Sequence, residues 1–143
     1  IIFLSQKNFL FEGSILSNII LDNKFEQANQ SKFLDCLKVT NLEDFILNLP
    51  DKENTLIGSN NLNLSGGQQK KIHITRALYH LDIQKKLLIF DEPFENLDLE
   101  TKSNFLKYIN ELKKTHTTII ISHQPDDLII CDKLYNVEKL RFV

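Results

Sequence analysis

The sequence predicts an α/β domain built around a parallel sheet. In the second half of the chain, short apolar runs rich in Ile and Leu alternate with segments of helical periodicity. These runs are apolar throughout, which is typical of parallel strands that helices cover on both faces. The first half has mostly helical patterns. We therefore expect a helical part followed by a sheet part.

Each predicted element is set by its apolar pattern and by the residues that begin or end it. The first half has a buried strand at 1–4, helices at 15–21, 25–39 and 42–46, and a polar loop at 51–63. A helix from 66 to about 80 follows, then a strand at 86–90 and a helix after 98 with its apolar stripe at 105, 106, 109 and 112. Buried strands are predicted at 117–121, 134–137 and 140–143. Ser14, Ser65 and Asp98 are expected to cap the helices that follow them.

Composition limits the classes of function. The 143 residues are 42% apolar with a formal net charge of −2, which suits one globular domain and provides no overall basic field for nucleic acid or an anionic membrane. The longest apolar runs are too short to span a bilayer. Cys36 and Cys131 show no C-x-x-C spacing, so we expect reduced thiols. His73, His80 and His116 are interpreted as surface or packing residues.

The segment Leu-Ser-Gly-Gly-Gln at residues 64–68 predicts a helix start that can bind an anion. Ser65 and Gln68 have the spacing of a capping box. Gly66 and Gly67 leave backbone N–H groups uncovered in the first turn, where the helix dipole also favours negative charge. Taken alone, the same residues fit an ordinary capped helix.

Two carboxylates follow directly on the apolar run at residues 87–90. Asp91 and Glu92 would stand at the carboxyl end of a parallel strand, which is where ligands bind in open α/β sheets. Phosphoryl transfer needs one group to hold Mg²⁺ and another to orient the attacking water. Adjacent acids supply both, although a polar strand end without chemistry is the common alternative.

Three more polar residues stand at the ends of predicted elements. Gln6 follows the first strand, and His123 follows the strand at 117–121, from where an imidazole can reach a terminal phosphate. Asp98 comes five residues after Pro93 (98 − 93) and can cap the next helix. Each of them, taken alone, fits a structural role.

In this order the motifs resemble the ATP-binding domain of ABC transporters. The resemblance rests on Gln6, on the signature at 64–68 with Lys70-Lys71 and Arg76-Ala77-Leu78, on the Walker B run ending in Asp91-Glu92, on the D-loop Asn96-Leu97-Asp98, and on His123. It implies a partial P-loop NTPase fold of the ABC type over residues 1–143. A helical signature subdomain would occupy about 7–80, and a Walker B and H-loop half about 81–143.

The resemblance implies ATP and Mg²⁺ as cofactors. Glu92 would polarise the attacking water, Asp91 would hold Mg²⁺ with Gln6, and His123 would contact the γ-phosphate. ATP bound by an opposing domain would contact the signature residues Ser65, Gly66, Gly67 and Gln68. Asp98 of the D-loop would lie at the dimer interface. The implied partners are a second nucleotide-binding domain and transmembrane domains, with no nucleic acid, at the cytoplasmic face of the cell membrane.

Two stretches favour an exporter. Leu49-Pro50 with Thr55 and Gly58, and the segment at 9–15, resemble exporter-type ATPases. The alternative is a soluble ABC-type ATPase of translation or DNA maintenance. DNA-repair members insert a long coiled coil between the Q-loop and the signature, whereas only 59 residues (65 − 6) separate Gln6 from Ser65 here, without sustained heptads.

The sequence has no G-x-x-x-x-G-K-[S/T] phosphate loop, because its four glycines fall in other contexts. It also has no methionine and opens at Ile1. We therefore expect an excerpt of a longer domain, from the Q-loop onward, that is inactive in isolation. In the family arrangement the absent strand would lie beside the strand at 117–121, which predicts an unpaired edge there.

Overall fold

A computed structural model describes residues 1–21, 30–58, 62–82, 84 and 87–142 of the chain. Within these residues the helices are α1 (Ile15–Ile20), α2 (Gln30–Val39), α3 (Glu43–Leu47), α4 (Gly66–Tyr79) and α5 (Leu99–Leu112). The strands are β1 (Ile2–Leu4), β2 (Gly13–Ser14), β3 (Leu56–Ile57), β4 (Leu87–Asp91), β5 (Thr117–Ile121), β6 (Tyr135–Asn136) and β7 (Arg141–Phe142). The predicted α/β class is confirmed.

The predicted helix caps are confirmed. The Ser14 side chain accepts from the Ser17 amide at 2.9 Å, and Asp98 accepts from the Thr101 amide at 2.9 Å. Both caps satisfy N–H groups that the first turn of a helix leaves without partners. They fix where α1 and α5 begin.

The helical half packs around its own apolar core. This core is shared by α1 to α4 and β3, and its buried members are Ile15, Ile19, Ile20, Phe33, Leu37, Leu42, Ile46, Ile57 and Ile72. Arg76 of α4 donates to the carbonyl oxygens of Phe9 and Asn18, at 2.8 and 2.5 Å, and so ties the segment after β1 to α4. The predicted helix at 25–39 is observed from Gln30, and its residues 25–29 lie outside the described part.

The predicted parallel sheet is confirmed, with strand order β1-β4-β5. Leu4 lies opposite Phe90, and Asp91 lies opposite Ile121. Within the described residues β5 pairs only with β4. Since all three strands run the same way, their carboxyl ends meet at one edge of the sheet.

The expectation that helices cover both faces of the sheet is wrong for the described residues. Leu4, Leu88 and Phe90 are buried against a core that includes residues of α2, α4 and α5. On the other face, Phe3 is 58% exposed, Ile119 46% and Ile121 50%. Successive side chains of a strand point to opposite faces, and the described helices lie on one side only. β1 and β5 are therefore half-exposed strands rather than buried ones.

Strands are present in both segments where they were predicted, 134–137 and 140–143, but the expectation that they are buried is wrong. β6 and β7 form a separate antiparallel hairpin, with Val137 and Leu140 exposed. Leu140 has a φ of 50°, in the left-handed region that favours glycine, because the tight turn requires it. Residue 143 lies outside the described part.

The loop predicted at 51–63 holds more structure than its polarity indicates. A 3₁₀ turn spans Lys52–Asn54, and β3 pairs antiparallel with β2. Both cysteines are free thiols, as expected, with Cys36 buried and Cys131 half-buried. Burial raises the pKa of the Cys36 thiol to about 11, so it remains protonated.

Candidate active site

The carboxyl edge of the sheet gathers four of the residues singled out from the sequence. Gln6 lies two residues beyond β1 (6 − 4), Asp91 ends β4 and Glu92 follows it, and His123 lies two residues beyond β5 (123 − 121). The parallel register places these positions side by side. We call Asp91, Glu92, Ser122 and His123 the acid edge.

Glu92 is fixed by the chain that leaves β5. Its amide donates to the Ile121 carbonyl at 2.9 Å. Its Oε1 accepts from the backbone amide of His123 at 3.0 Å and from the His123 ring Nδ1 at 2.8 Å. The φ of Glu92 is 45°, a left-handed conformation that is costly for a residue with a side chain. Such strain is held only where surrounding contacts impose it, and here they aim a carboxylate at the sheet edge.

The Glu92 carboxylate also sets the charge state of His123. The hydrogen bond from His123 and the negative charge of Glu92 raise the pKa of the imidazole above its ordinary value. His123 is exposed, whereas the Glu92 side chain is mostly covered. The pair therefore presents an imidazole to solvent in front of a held carboxylate.

Gln6 is brought to this edge, where its contact is with Glu95. The Gln6 Nε2 donates to the Glu95 Oε2 at 3.4 Å, a long hydrogen bond. The amide oxygen of Gln6 can bind a cation, and the half-buried Asp91 supplies a carboxylate at the end of β4. Mg²⁺ usually takes one or two protein oxygens with waters and phosphates, so this donor set fits it.

A buried lysine that the sequence reading treated only as part of a basic pair stands behind these acids. Lys70 is 1% exposed, and its Nζ makes no hydrogen bond among the described residues. Burial lowers the pKa of Lys70, while the charges of Glu95, Asp91 and Glu92 act in the opposite direction. The ammonium therefore offsets part of the negative charge at the acid edge.

The signature turn, residues 64–68, has the predicted capping box. The Ser65 side chain accepts from the Gln68 amide at 3.2 Å, and the Gln68 Oε1 accepts from the Ser65 amide at 2.9 Å. A Cβ on Gly66 would meet nothing within 4 Å, whereas one on Gly67 would lie 3.0 Å from the Asn96 carbonyl oxygen. Gly66 leaves the first turn open to a ligand, and Gly67 lets the loop after β4 approach.

Asp98 joins the signature helix to α5. Besides capping α5, its Oδ2 lies 2.7 Å from the Lys71 Nζ. The hydrogen bond from Lys71, together with the bond from the Thr101 amide, holds the pKa of Asp98 well below its usual range. The cap is therefore also an ion pair between two helices.

The signature turn and the acid edge have separate hydrogen bonds among the described residues. No described hydrogen bond or ion pair joins residues 65–68 to Glu92 or His123. Gly67 packs against Asn96, which lies four residues beyond Glu92 (96 − 92). Each region thus has its own supports.

Among the other histidines, His73 has a packing role. His73 is buried, and burial with the nearby charge of Arg76 lowers its pKa to about 4.

The described residues contain no group of three or more His, Cys, Asp or Glu that could hold a metal ion by itself. No helix in the described ranges has the length and apolar character needed to cross a membrane.

Sequence reasoning missed the residues behind the acid edge. Ser122 donates to Asp127 at 2.8 Å, and Asp127 pairs with Lys102 of α5. The available signal was a carboxylate four residues after His123 (127 − 123), on the turn that Pro125 begins. Its burial comes from α5, which no local pattern reveals.

A family model described as ABC transporter matches residues 1–95 of the chain, which include the signature turn, Asp91 and Glu92. An uncharacterized ABC transporter ATP-binding protein of Sinorhizobium fredii is 34% identical over 136 residues, covering 95% of this chain and 22% of that protein. A Staphylococcus aureus protein, named for multidrug export and as an ATP-binding/permease protein, is 33% identical over 133 residues. The match covers 93% of this chain and 22% of that protein.

Among solved structures, a bacterial Atm1-family ABC exporter with ATP bound matches 89% of this chain with a TM-score of 0.75 and 27% identity. This chain covers 22% of that one. The chain therefore spans about a fifth of the length of the relatives it matches, 22% in each case.

Proposed function

The chain belongs to the ABC transporter family, and on that premise we propose that it is the part of a nucleotide-binding domain that carries the signature and the hydrolytic acids. In the intact protein this domain couples ATP binding and hydrolysis to export across a membrane. The observation that carries the proposal is the Glu92 carboxylate, held by His123 at 2.8 Å on the edge where parallel strands bind ligands.

Glu92 acts as the general base. Its Oε1 already accepts two hydrogen bonds from His123, so Oε2 is the oxygen left to take a proton from water. His123, exposed in front of it, contacts the γ-phosphate, and its raised pKa favours the cationic form near a phosphate. Gln6 senses the same phosphate from the end of β1.

Asp91 and Gln6 would hold Mg²⁺ at this edge. The ion would neutralise part of the charge on the β- and γ-phosphates. Asp91 supplies the carboxylate oxygen, and Gln6 the amide oxygen, that a hard cation prefers. Lys70, buried behind the acids, limits their mutual repulsion before a cation arrives.

The signature turn binds the γ-phosphate of an ATP molecule held by an opposing domain. The ligand-binding residues are Ser65, Gly66, Gly67 and Gln68 at the start of the 14-residue helix α4, whose first turn is open at Gly66. Asp98 communicates across the dimer, and within this chain its ion pair with Lys71 links the signature helix to the loop after β4.

The partners are a second nucleotide-binding domain and transmembrane domains, at the cytoplasmic face of the membrane. Phe9, Leu47 and Leu56 of the helical half are each more than half exposed and offer apolar surface for such a partner. The multidrug-export name of the Staphylococcus aureus relative supports transport over the soluble alternative.

The test compares phosphate release by the full-length protein that carries this segment with release by the isolated 143 residues. The full-length protein should hydrolyse ATP and lose this activity on His123→Ala. The isolated chain should release none, because it has no glycine-rich loop and lysine to hold the phosphates. Release by the isolated chain that disappears on Glu92→Gln would contradict that expectation.

A further inference from the structure

A line of polar contacts runs behind the acid edge from helix α5. The Lys102 Nζ lies 2.5 Å from the Asp127 Oδ1, and the Ser122 hydroxyl lies 2.8 Å from the Asp127 Oδ2. Asp127 is 2% exposed, and the Lys102 ammonium also lies over the Phe94 ring, 5.7 Å from its centre. Lys102 therefore contacts residues of both loops that form the edge, the one after β4 and the one after β5.

The Ser122 hydroxyl stands between two carboxylates. Its oxygen is 2.8 Å from the Asp127 Oδ2 and 3.3 Å from the Glu92 Oε2, and it accepts from the Gln124 amide at 3.1 Å. A serine has one proton to donate, and O–H···O bonds are strongest near 2.7–2.8 Å. The proton therefore goes to Asp127.

This choice matters for Glu92. Its Oε1 takes two hydrogen bonds from His123, so a third donor at Oε2 would occupy the oxygen that a water must approach. Such a bond would also stabilise the anion before the reaction and make it a poorer acceptor. With the Ser122 proton directed to Asp127, the Oε2 keeps its lone pairs.

We propose that Asp127 is a positioning residue of the hydrolytic site: by accepting the Ser122 proton it keeps the Glu92 Oε2 open to the attacking water. Lys102 supports Asp127 in this task, because its ammonium forms an ion pair with the opposite carboxylate oxygen. The inference rests on the proposed role of Glu92 as general base, and adds to it a buried residue that acts on Glu92 through Ser122.

Asp127→Asn in the full-length protein tests this directly. The amide has the shape of the carboxylate, and Lys102 selects the amide oxygen, so the NH₂ group faces Ser122. Ser122 must then accept, and its proton turns to Glu92. We expect kcat for ATP hydrolysis to fall about tenfold with KM within about twofold, since the change affects the chemical step. Asp126→Asn, the exposed neighbour on the same turn, should leave both constants unchanged.

A second substitution separates this role from a structural one. In the Asp127→Asn background, Ser122→Ala removes the misdirected proton and should return kcat to the value of the Ser122→Ala variant. A residue that only held the fold together would not be rescued by losing a neighbour's hydroxyl. Unchanged kcat in Asp127→Asn, or a double variant slower than Ser122→Ala alone, would overturn the proposal.

A crystal structure of the full-length Asp127→Asn protein gives a readout that needs no activity. The distance from the Ser122 Oγ to the Glu92 Oε2 should shorten from 3.3 Å to about 2.7 Å. A distance that stays near 3.3 Å would overturn the proposal. If the wild-type protein does not hydrolyse ATP, the proposed function fails by itself, and this distance still decides where the Ser122 proton goes.

Discussion

The signature turn and the acid edge are supported in different ways. At the signature turn, the bonds of the capping box join Ser65 and Gln68, three residues apart in sequence. At the acid edge, the bonds to Glu92 come from His123, 31 residues away, and the next layer comes from Lys102 on a separate helix.

This difference predicts how each region responds to change. The signature turn forms wherever α4 forms, because its supports are local. The acid edge depends on the pairing of β4 with β5 and on α5, so distant substitutions can reach it.

The largest effect is expected at Glu92. Glu92→Gln in the full-length protein should lower kcat for ATP hydrolysis by about 100-fold or more, since it removes the general base. ATP binding should persist, because Glu92 does not hold the nucleotide. Single-turnover hydrolysis and equilibrium ATP binding measure the two effects. Glu138→Gln, on the exposed hairpin turn, is the matched control, and an equal loss in both variants would contradict the assignment.

The two glycines of the signature turn should respond in opposite ways to alanine. Gly66→Ala should stabilise the domain by roughly 0.5–1 kcal/mol, since the site is open and alanine favours a helix. Gly67→Ala should destabilise it by about 1–3 kcal/mol, since its Cβ would press on the Asn96 carbonyl. Thermal unfolding of the intact nucleotide-binding domain gives the comparison. The same sign for both variants would show that the close approach to Asn96 is absent.

Asp98 tests the link between the two regions. Asp98→Ala loses the cap and should cost about 1 kcal/mol of unfolding free energy, while Asp98→Asn keeps the acceptor and should cost less, since the half-exposed ion pair is screened by solvent.

Folding lowers the pKa of Asp98. Its charge therefore stabilises the fold at pH above the unfolded-state pKa, which is about 4, and this stabilisation is lost as the pH falls toward the folded-state pKa. The difference in unfolding free energy between wild type and Asp98→Asn should therefore become smaller as the pH is lowered. A difference that becomes larger would contradict the ion pair.

The smallest effect is on the titration of His123. Since Glu92 raises the pKa of His123, Glu92→Gln should lower it toward about 6.5. The raised value means that the pair stabilises the fold at pH below the unfolded pKa and ceases to do so as pH rises through the folded one. NMR of the ring resonances follows this change, with His116 as the internal control. An unchanged His123 pKa would mean that the pair is not formed in solution.

The same comparison explains how far the sequence predicts the structure. The three caps were predictable because they depend on local pattern, and the parallel sheet was predictable because apolar runs alternate with helical segments along the chain. Motif order predicts catalytic and metal-binding roles for Asp91, Glu92 and His123, and the structure places these three residues at one edge of the sheet. The support from Ser122, Asp127 and Lys102 was not, because it forms only when α5 packs beside β5. The exposure of Phe3 and Ile119 was also missed, since an apolar run does not show which of its faces a helix covers.

The most direct test asks whether the two regions of one chain serve two different ATP molecules. Gly66→Asp places a carboxylate at the open start of α4, where it would repel phosphate without a clash in its own chain. In full-length two-domain assemblies, this substitution and Glu92→Gln are placed either in one domain or in opposite domains. With them in opposite domains, one complete site remains and about half of the hydrolysis should persist if the sites act independently. With both in one domain, both sites are damaged and hydrolysis should be lost. The reverse pattern would show that the signature and the acid edge act on the same nucleotide and would contradict the proposed function.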